Sequence, residues 1–181
     1  MARRFWQQPA NALTATRLLC IPAIVAAVVH DRAMIAGILF AIAVVTDLAD
    51  GPVARRRGEA SPRGALFDHA VDAGFVAALL AALAWQDLVT AVLPPLVVVA
   101  FLQYVWDSQA LRGHALRTSR IGRSNGVAYY VAAGIPVVRD AIGLGWPDAA
   151  IVHAIAWVLV ATTLLSMSER AFVLARIRSR R

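Results

Sequence analysis

Six apolar runs, most of them near the length a helix needs to cross a bilayer, constrain this chain more than any other feature. They lie at about 13–29, 34–48, 64–85, 88–106, 126–138 and 149–167. In hydrocarbon every backbone N–H and C=O must find its partner within the segment, so runs of this kind are helices. About 20 residues cross the core. The fifth run is short of that, which draws its expected start back toward Gly122. The expected fold is all-α: an integral membrane protein of six transmembrane helices in a single domain, 1–181. A short N-terminal interfacial segment leads in, where Arg3, Arg4, Phe5 and Trp6 suit the headgroup layer.

Composition agrees, with 60% apolar residues and only 16% charged. The net charge of +7 would suggest nucleic acid as a partner in a soluble protein, but here the arginines sort by loop. Sixteen of the eighteen fall at the N-terminus and first turn, the second loop, the fourth loop and the C-terminus, leaving Arg32 and Arg139 on the other side. That asymmetry predicts a multi-pass protein of the cell (inner) membrane with both termini and the second loop cytoplasmic. The basic charge then meets anionic lipid, and no nucleic acid partner is expected. The opening resembles a signal peptide, but Arg17 interrupts it and further spans follow, so it reads as a retained first span. Cys20 lies inside an apolar run, a small buried residue with no cysteine to pair with.

The chemistry concentrates in residues 47–72, with the skeleton Asp47-x2-Asp50-Gly51-x2-Ala54-Arg55, eight residues, then Gly64-x3-Asp68-x3-Asp72. On a helix Asp47 and Asp50 share a face, and so do Gly64, Asp68 and Asp72. The short loop between the two spans makes an antiparallel pair, so four carboxylates can converge. Such groups at a bilayer edge repel one another and take up protons unless cations neutralise them. With no cysteine or histidine pair at ligand spacing, all-oxygen ligation favours Mg²⁺ or Mn²⁺, and four carboxylates allow two ions. Two ions would clamp a nucleotide diphosphate for phosphoryl transfer. Gly51 and Gly64 would let backbone approach the nucleotide, Ala54 would leave space, and Arg55 could pair with a phosphate oxygen. The plainer reading is a salt-bridged loop with Asp47 and Asp50 paired to Arg55–Arg57. Four acids on two helix faces weigh against it.

This skeleton resembles that of the CDP-alcohol phosphotransferases, membrane enzymes of phospholipid synthesis, with no position missing. The resemblance implies a six-helix fold, two divalent ions on Asp47, Asp50, Asp68 and Asp72, and CDP bound around Gly51, Ala54, Arg55 and Gly64. It also implies Asp72 as general base and allows a homodimer. The partners it implies are a CDP-linked donor, an alcohol acceptor and membrane lipid. The opening Asn11-x-Leu13-Thr14-x2-Arg17-x4-Pro22, the length and Gly122-Arg123-Ser124 look like bacterial phosphatidylglycerophosphate synthases. The expected reaction is therefore transfer of a phosphatidyl group from CDP-diacylglycerol to glycerol 3-phosphate, with release of CMP.

Another stretch points to a different acceptor. Ser61-Pro62-x-Gly64-x-Leu66-Phe67-Asp68-His69-x2-Asp72 is closer to choline and ethanolamine phosphotransferases, which would join a CDP-linked amino alcohol to diacylglycerol. His69 itself is readable as a partner of the metal-binding acids or as a packing residue, while His114 and His153 read as ordinary loop and span residues. Arg112, Arg117, Arg120 and Arg123 are either an acceptor or lipid phosphate site or simply loop arginines, the last three, spaced by three, being the better candidates. Outside the enzymes, a divalent-cation carrier would want acids near the bilayer midplane, whereas these lie at helix ends. Membrane prenyltransferases carry two Asp-rich motifs, and here there is one.

Overall fold

The computed structural model describes residues 9–56, 61–108 and 120–178, and these form six helices with no strand among them. The helices are α1 (Pro9–Val29), α2 (Ala33–Arg56), α3 (Pro62–Trp85), α4 (Leu93–Asp107), α5 (Arg120–Ala141) and α6 (Ala149–Arg178). All six expected helices are present, and the all-α fold stands. The interfacial segment, residues 1–8, lies outside the described residues.

Three of the helices are long and apolar enough to cross a membrane, within Ala12–Val29, Arg63–Trp85 and Ala149–Val173. Ala33–Ala49 and Leu93–Asp107 are shorter apolar helices. The exterior fits lipid rather than water: Leu19 is 76% exposed, and Leu48, Val127 and Leu165 are also exposed. Apolar surface that extensive is untenable on a soluble monomer. Tryptophans sit near both ends of the bundle, Trp106 at the end of α4, and Trp85 at the end of α3 with Trp146 ahead of α6, as interfacial indoles do.

Helix boundaries depart from the apolar runs in instructive ways. The helix α2 does not stop where hydropathy stops but continues to Arg56, carrying Asp47 and Asp50 inside it. Residues 88–92, read as part of the fourth span, form a turn, because Pro94 and Pro95 sit at the start of α4, where a missing N–H is harmless. At the other terminus α6 outruns its apolar stretch by three turns and ends among arginines.

Around the bundle each helix packs on its neighbours in the closed order α1, α2, α5, α6, α4, α3, with α3 also touching α5 across the middle. The most central element is α3, whose Phe75, Leu79, Leu80 and Leu83 are buried. At one end of the bundle three helices close in the same way. Arg32 N–H donates to Ala27 O and Asp31 N–H to Val28 O; Leu88 donates to Leu83 and Asp87 to Ala84; Leu144 donates to Arg139 and Gly143 to Asp140. This is the Schellman closure, which requires a left-handed residue, supplied by Asp31 (φ 55°), Asp87 (φ 57°) and Gly143 (φ 69°). Since α1, α3 and α5 all end there, α1 begins and α6 finishes at the opposite end, where the acidic motif lies.

Candidate active site

Asp68 and Asp72 are oriented by how α3 starts. Ser61, extended at the N-cap, accepts the Gly64 N–H through Oγ at 3.1 Å, and Pro62 follows within the first turn. The cap supplies an acceptor to an otherwise unpaired N–H, and the proline pre-sets the helical φ. Asp68 and Asp72 then stand one turn apart on one face, and Asp47 approaches from α2.

The three carboxylates meet on one side chain that sequence reasoning treated only as part of the opening motif and as a topology marker. Arg17 of α1 is fully buried, and its Nη1 lies 2.9 Å from Asp47 Oδ1. Its Nη2 is 3.3 Å from Asp68 Oδ1, and Nη1 also contacts Asp72 Oδ1. A buried guanidinium is tolerable only when paired and well bonded, and here three acids from two other helices surround it. The signal that could have found it is charge: Arg17 is the one charged side chain inside the first apolar run.

Asp72 has a second partner. The Tyr130 hydroxyl of α5 donates to Asp72 Oδ1 at 3.2 Å. Tyr130 stacks on Phe75 (5.9 Å between centroids, 16° between planes), and Phe75 on Phe40 (6.4 Å). Phe40 in turn fits against Gly134, where a Cβ would come within 2.5 Å of its ring. A chain of close packing thus runs from α5 through α2 and α3 back to the carboxylate.

Asp47 and Asp72 face a cavity of about 360 Å³ between α3, α4, α5 and α6. Its walls are largely apolar, with Val76, Val97 and Phe101 among them, and the polar groups that line it include His69, Tyr104, Arg123, Tyr130 and Arg170. Arg170 pairs with Asp107 at 3.1 Å and lies 4.9 Å over the Tyr104 ring. Gln103 Oε1 is buried on the cavity and makes no hydrogen bond among the described residues, so the cavity carries an unmet acceptor. Asn125, which also lines it, is a side-chain partner of the Tyr129 hydroxyl.

Of the expected metal ligands, Asp47, Asp68 and Asp72 converge on Arg17; Asp50 lies within α2, its side chain outside the described residues. Gly51, Ala54 and Arg55 likewise continue α2 without described side chains, and Gly64 sits in the first turn of α3. Arg112 and Arg117 lie outside the described residues, Arg120 begins α5 with its side chain undescribed, and Arg123 is exposed on the cavity. His69 Nδ1 is 4.0 Å from Asp68 Oδ2, and its ring is 6.3 Å from that of Tyr104.

The donor set suits a divalent cation. One ligand atom each from Asp68, His69 and Asp72 lies within 4.8 Å of the others. Asp47, Asp68 and Asp72 outnumber the single guanidinium they surround, so a further cation would balance the cluster when all three are ionised.

A sequence model of the CDP-alcohol phosphatidyltransferase family matches residues 8–167, nearly the whole chain. The protein belongs to that family. It is therefore a phosphotransferase that moves a phosphatidyl group from a CDP-alcohol to an alcohol acceptor in phospholipid synthesis, and the family in general uses divalent metal. No curated protein matches the chain as a relative.

Proposed function

We propose that this enzyme transfers the phosphatidyl group of CDP-diacylglycerol to the hydroxyl of a small phosphorylated alcohol, glycerol 3-phosphate being the best fit, and releases CMP. The observation that carries this reading is the cavity. Its lining includes Asp47 and Asp72 together with Arg123 and Arg170, among otherwise largely apolar walls. Arginine forks match phosphate oxygens, so Arg123 on the same cavity as the acids, with Arg170 paired to Asp107, favours an acceptor that carries its own phosphate. The unmet acceptor of Gln103 suits a further hydroxyl.

In this reading Asp47, Asp50, Asp68 and Asp72 would hold two divalent ions, Mg²⁺ or Mn²⁺, which when bound stabilise charge on the attacking and leaving oxygens. Gly51, Ala54, Arg55 and Gly64 would border the CDP moiety. Asp72 takes the proton from the acceptor hydroxyl as its oxygen attacks phosphorus; the bond from that phosphorus to the CMP oxygen breaks, and CMP leaves with the electron pair. Tyr130 and Arg17 hold the Asp72 carboxylate in place for that transfer. The apolar walls keep water, a competing acceptor, away from the phosphorus.

All six helices span the inner membrane in this reading, the chain 1–181 being one domain with termini and active site in the cytoplasm. Tags at Met1 and Arg181 are then protected from protease added to intact cells. A homodimer is compatible with this arrangement.

The test is CMP release from purified protein given CDP-diacylglycerol, Mg²⁺ and separate acceptors. Fast release with glycerol 3-phosphate alone supports the proposal. A second reading, CDP-amino alcohol as donor and diacylglycerol as acceptor, draws on His69 beside Asp68 and facing Tyr104. Release of CMP from CDP-choline or CDP-ethanolamine with diacylglycerol would select it.

A further inference from the structure

Arg17 stands apart from the other groups of the site. It is fully buried, it comes from α1, and the cavity on the α3–α6 side is bordered by Asp47 and Asp72 rather than by Arg17. It therefore grips Asp47 and Asp72 from behind while they face the space a substrate would enter, and holds Asp68 as well. Each of its three acid partners is only partly buried, between 22% and 33% exposed.

Two electrostatic consequences follow. Before any metal loads, Asp47 on α2 and Asp68 and Asp72 on α3 would repel one another, and Arg17 is the cation that ties α1 to both helices. Once a divalent ion approaches the same carboxylates, the guanidinium is a like charge beside it. Arg17 either keeps its contacts and repels the ion or gives them up, and both lower the ion's affinity.

We infer that Arg17 is a resident counter-cation of the acidic cluster: it holds the site assembled in the metal-free protein and, by opposing the divalent ion, weakens its binding. This rests on the metal-binding reading of the aspartates. A function follows for the weakening. An ion held loosely by the protein alone is held firmly once a diphosphate adds its own negative charge, so donor and metal load together. Arg17 is thus a positioning residue, acting on substrate only through the carboxylates.

The experiment measures Mn²⁺ affinity by electron paramagnetic resonance, and melting temperature with and without saturating Mg²⁺, on purified full-length protein and its Arg17→Gln and Arg17→Lys variants. Without metal, Arg17→Gln is expected to melt below the unsubstituted protein. It should gain more from Mg²⁺ and bind Mn²⁺ roughly 10-fold tighter, within the range usual for coupled sites. Arg17→Lys, which keeps the charge, should bind Mn²⁺ nearly as the unsubstituted protein does. An Arg17→Gln variant that folds only when Mg²⁺ is present supports the inference. It is overturned by Mn²⁺ binding no tighter than in the unsubstituted protein, by the same loss of melting temperature with and without metal, or by failure to fold even in Mg²⁺. If the unsubstituted protein binds no Mn²⁺, the metal reading itself fails, and that outcome is separate from the others.

Discussion

The two ends of the bundle handle charge in opposite ways. At the end where α1, α3 and α5 close, most polar groups meet a near neighbour in sequence: Arg139 pairs with Asp140 and donates to Pro147 O at 2.8 Å. There too Asp148 caps Ile151 at 2.9 Å. The long-range tie at that end is Gln86, whose amide donates to Val28 O and to Asp31. At the other end the partners lie far apart in sequence. Arg17 reaches Asp68 across 51 positions and Tyr130 reaches Asp72 across 58. The contrast teaches that a helix end can satisfy its own charges by local means. Where like charges are instead carried together from separate helices and opened to a cavity, the arrangement calls for a ligand to complete it.

The largest effects should appear at the acidic end. Asp72→Asn is expected to slow CMP release by ~10² to 10⁴, the usual worth of a general base, with no recovery in excess Mg²⁺. Asp47→Asn and Asp68→Asn should instead recover partly as Mg²⁺ is raised, and chelation should abolish activity in all of them. Equal rescue of Asp72→Asn would make that residue a ligand only and move the search for the base to His69. Asp148→Asn, at the opposite end, should leave the rate unchanged; a comparable loss there would erase the contrast between the ends.

Tyr130→Phe sharpens the comparison by removing one hydroxyl. A hydrogen bond to a charged group is worth about 1.5 to 3 kcal/mol. The expected loss is roughly 10-fold or more in kcat, with the KM for the donor little changed. A variant with full kcat would leave Asp72 positioned by Arg17 alone.

Packing behind the site is tested by Gly134→Ala. The added Cβ would meet the Phe40 ring at 2.5 Å, and a closely packed ring has little room to give. Overpacking of this kind costs about 1 to 3 kcal/mol, read as a lowered melting temperature. Because Phe40 leads through Phe75 to Tyr130, kcat should fall too. Lost stability with unchanged kcat would break the proposed link.

The smallest effect is a gain at the quiet end. Asp87 is exposed with φ 57°, a backbone conformation that costs an L-residue energy and glycine almost none. Asp87→Gly should raise stability by ~0.5 kcal/mol, net of the extra freedom glycine gives the unfolded chain, and leave activity alone.

Much of this was legible from sequence because it is local. Apolar runs long enough for lipid must be helices, and an aspartate recurring one turn on must share a face with its predecessor, whatever the rest of the chain does. The Asp47–Asp72 skeleton carried the family for the same reason, since its spacing is fixed within two adjacent helices. Hydropathy misjudged the ends of α2 and α6, because it measures preference for lipid, and a helix continues past the bilayer as long as its backbone bonds do. It also misjudged the start of α4, which Pro94 and Pro95 set.

What only the tertiary structure decided is which distant side chains meet. The order of helices around the ring, the convergence of three carboxylates on Arg17, and the Tyr130 hydroxyl on Asp72 depend on how whole helix faces fit, as in the seat that Gly134 offers Phe40. Those choices are made by shape and by burial of charge between residues 30 to 58 positions apart in the chain. No periodicity records them, so Arg17 read as one arginine among eighteen until the fold surrounded it with acids.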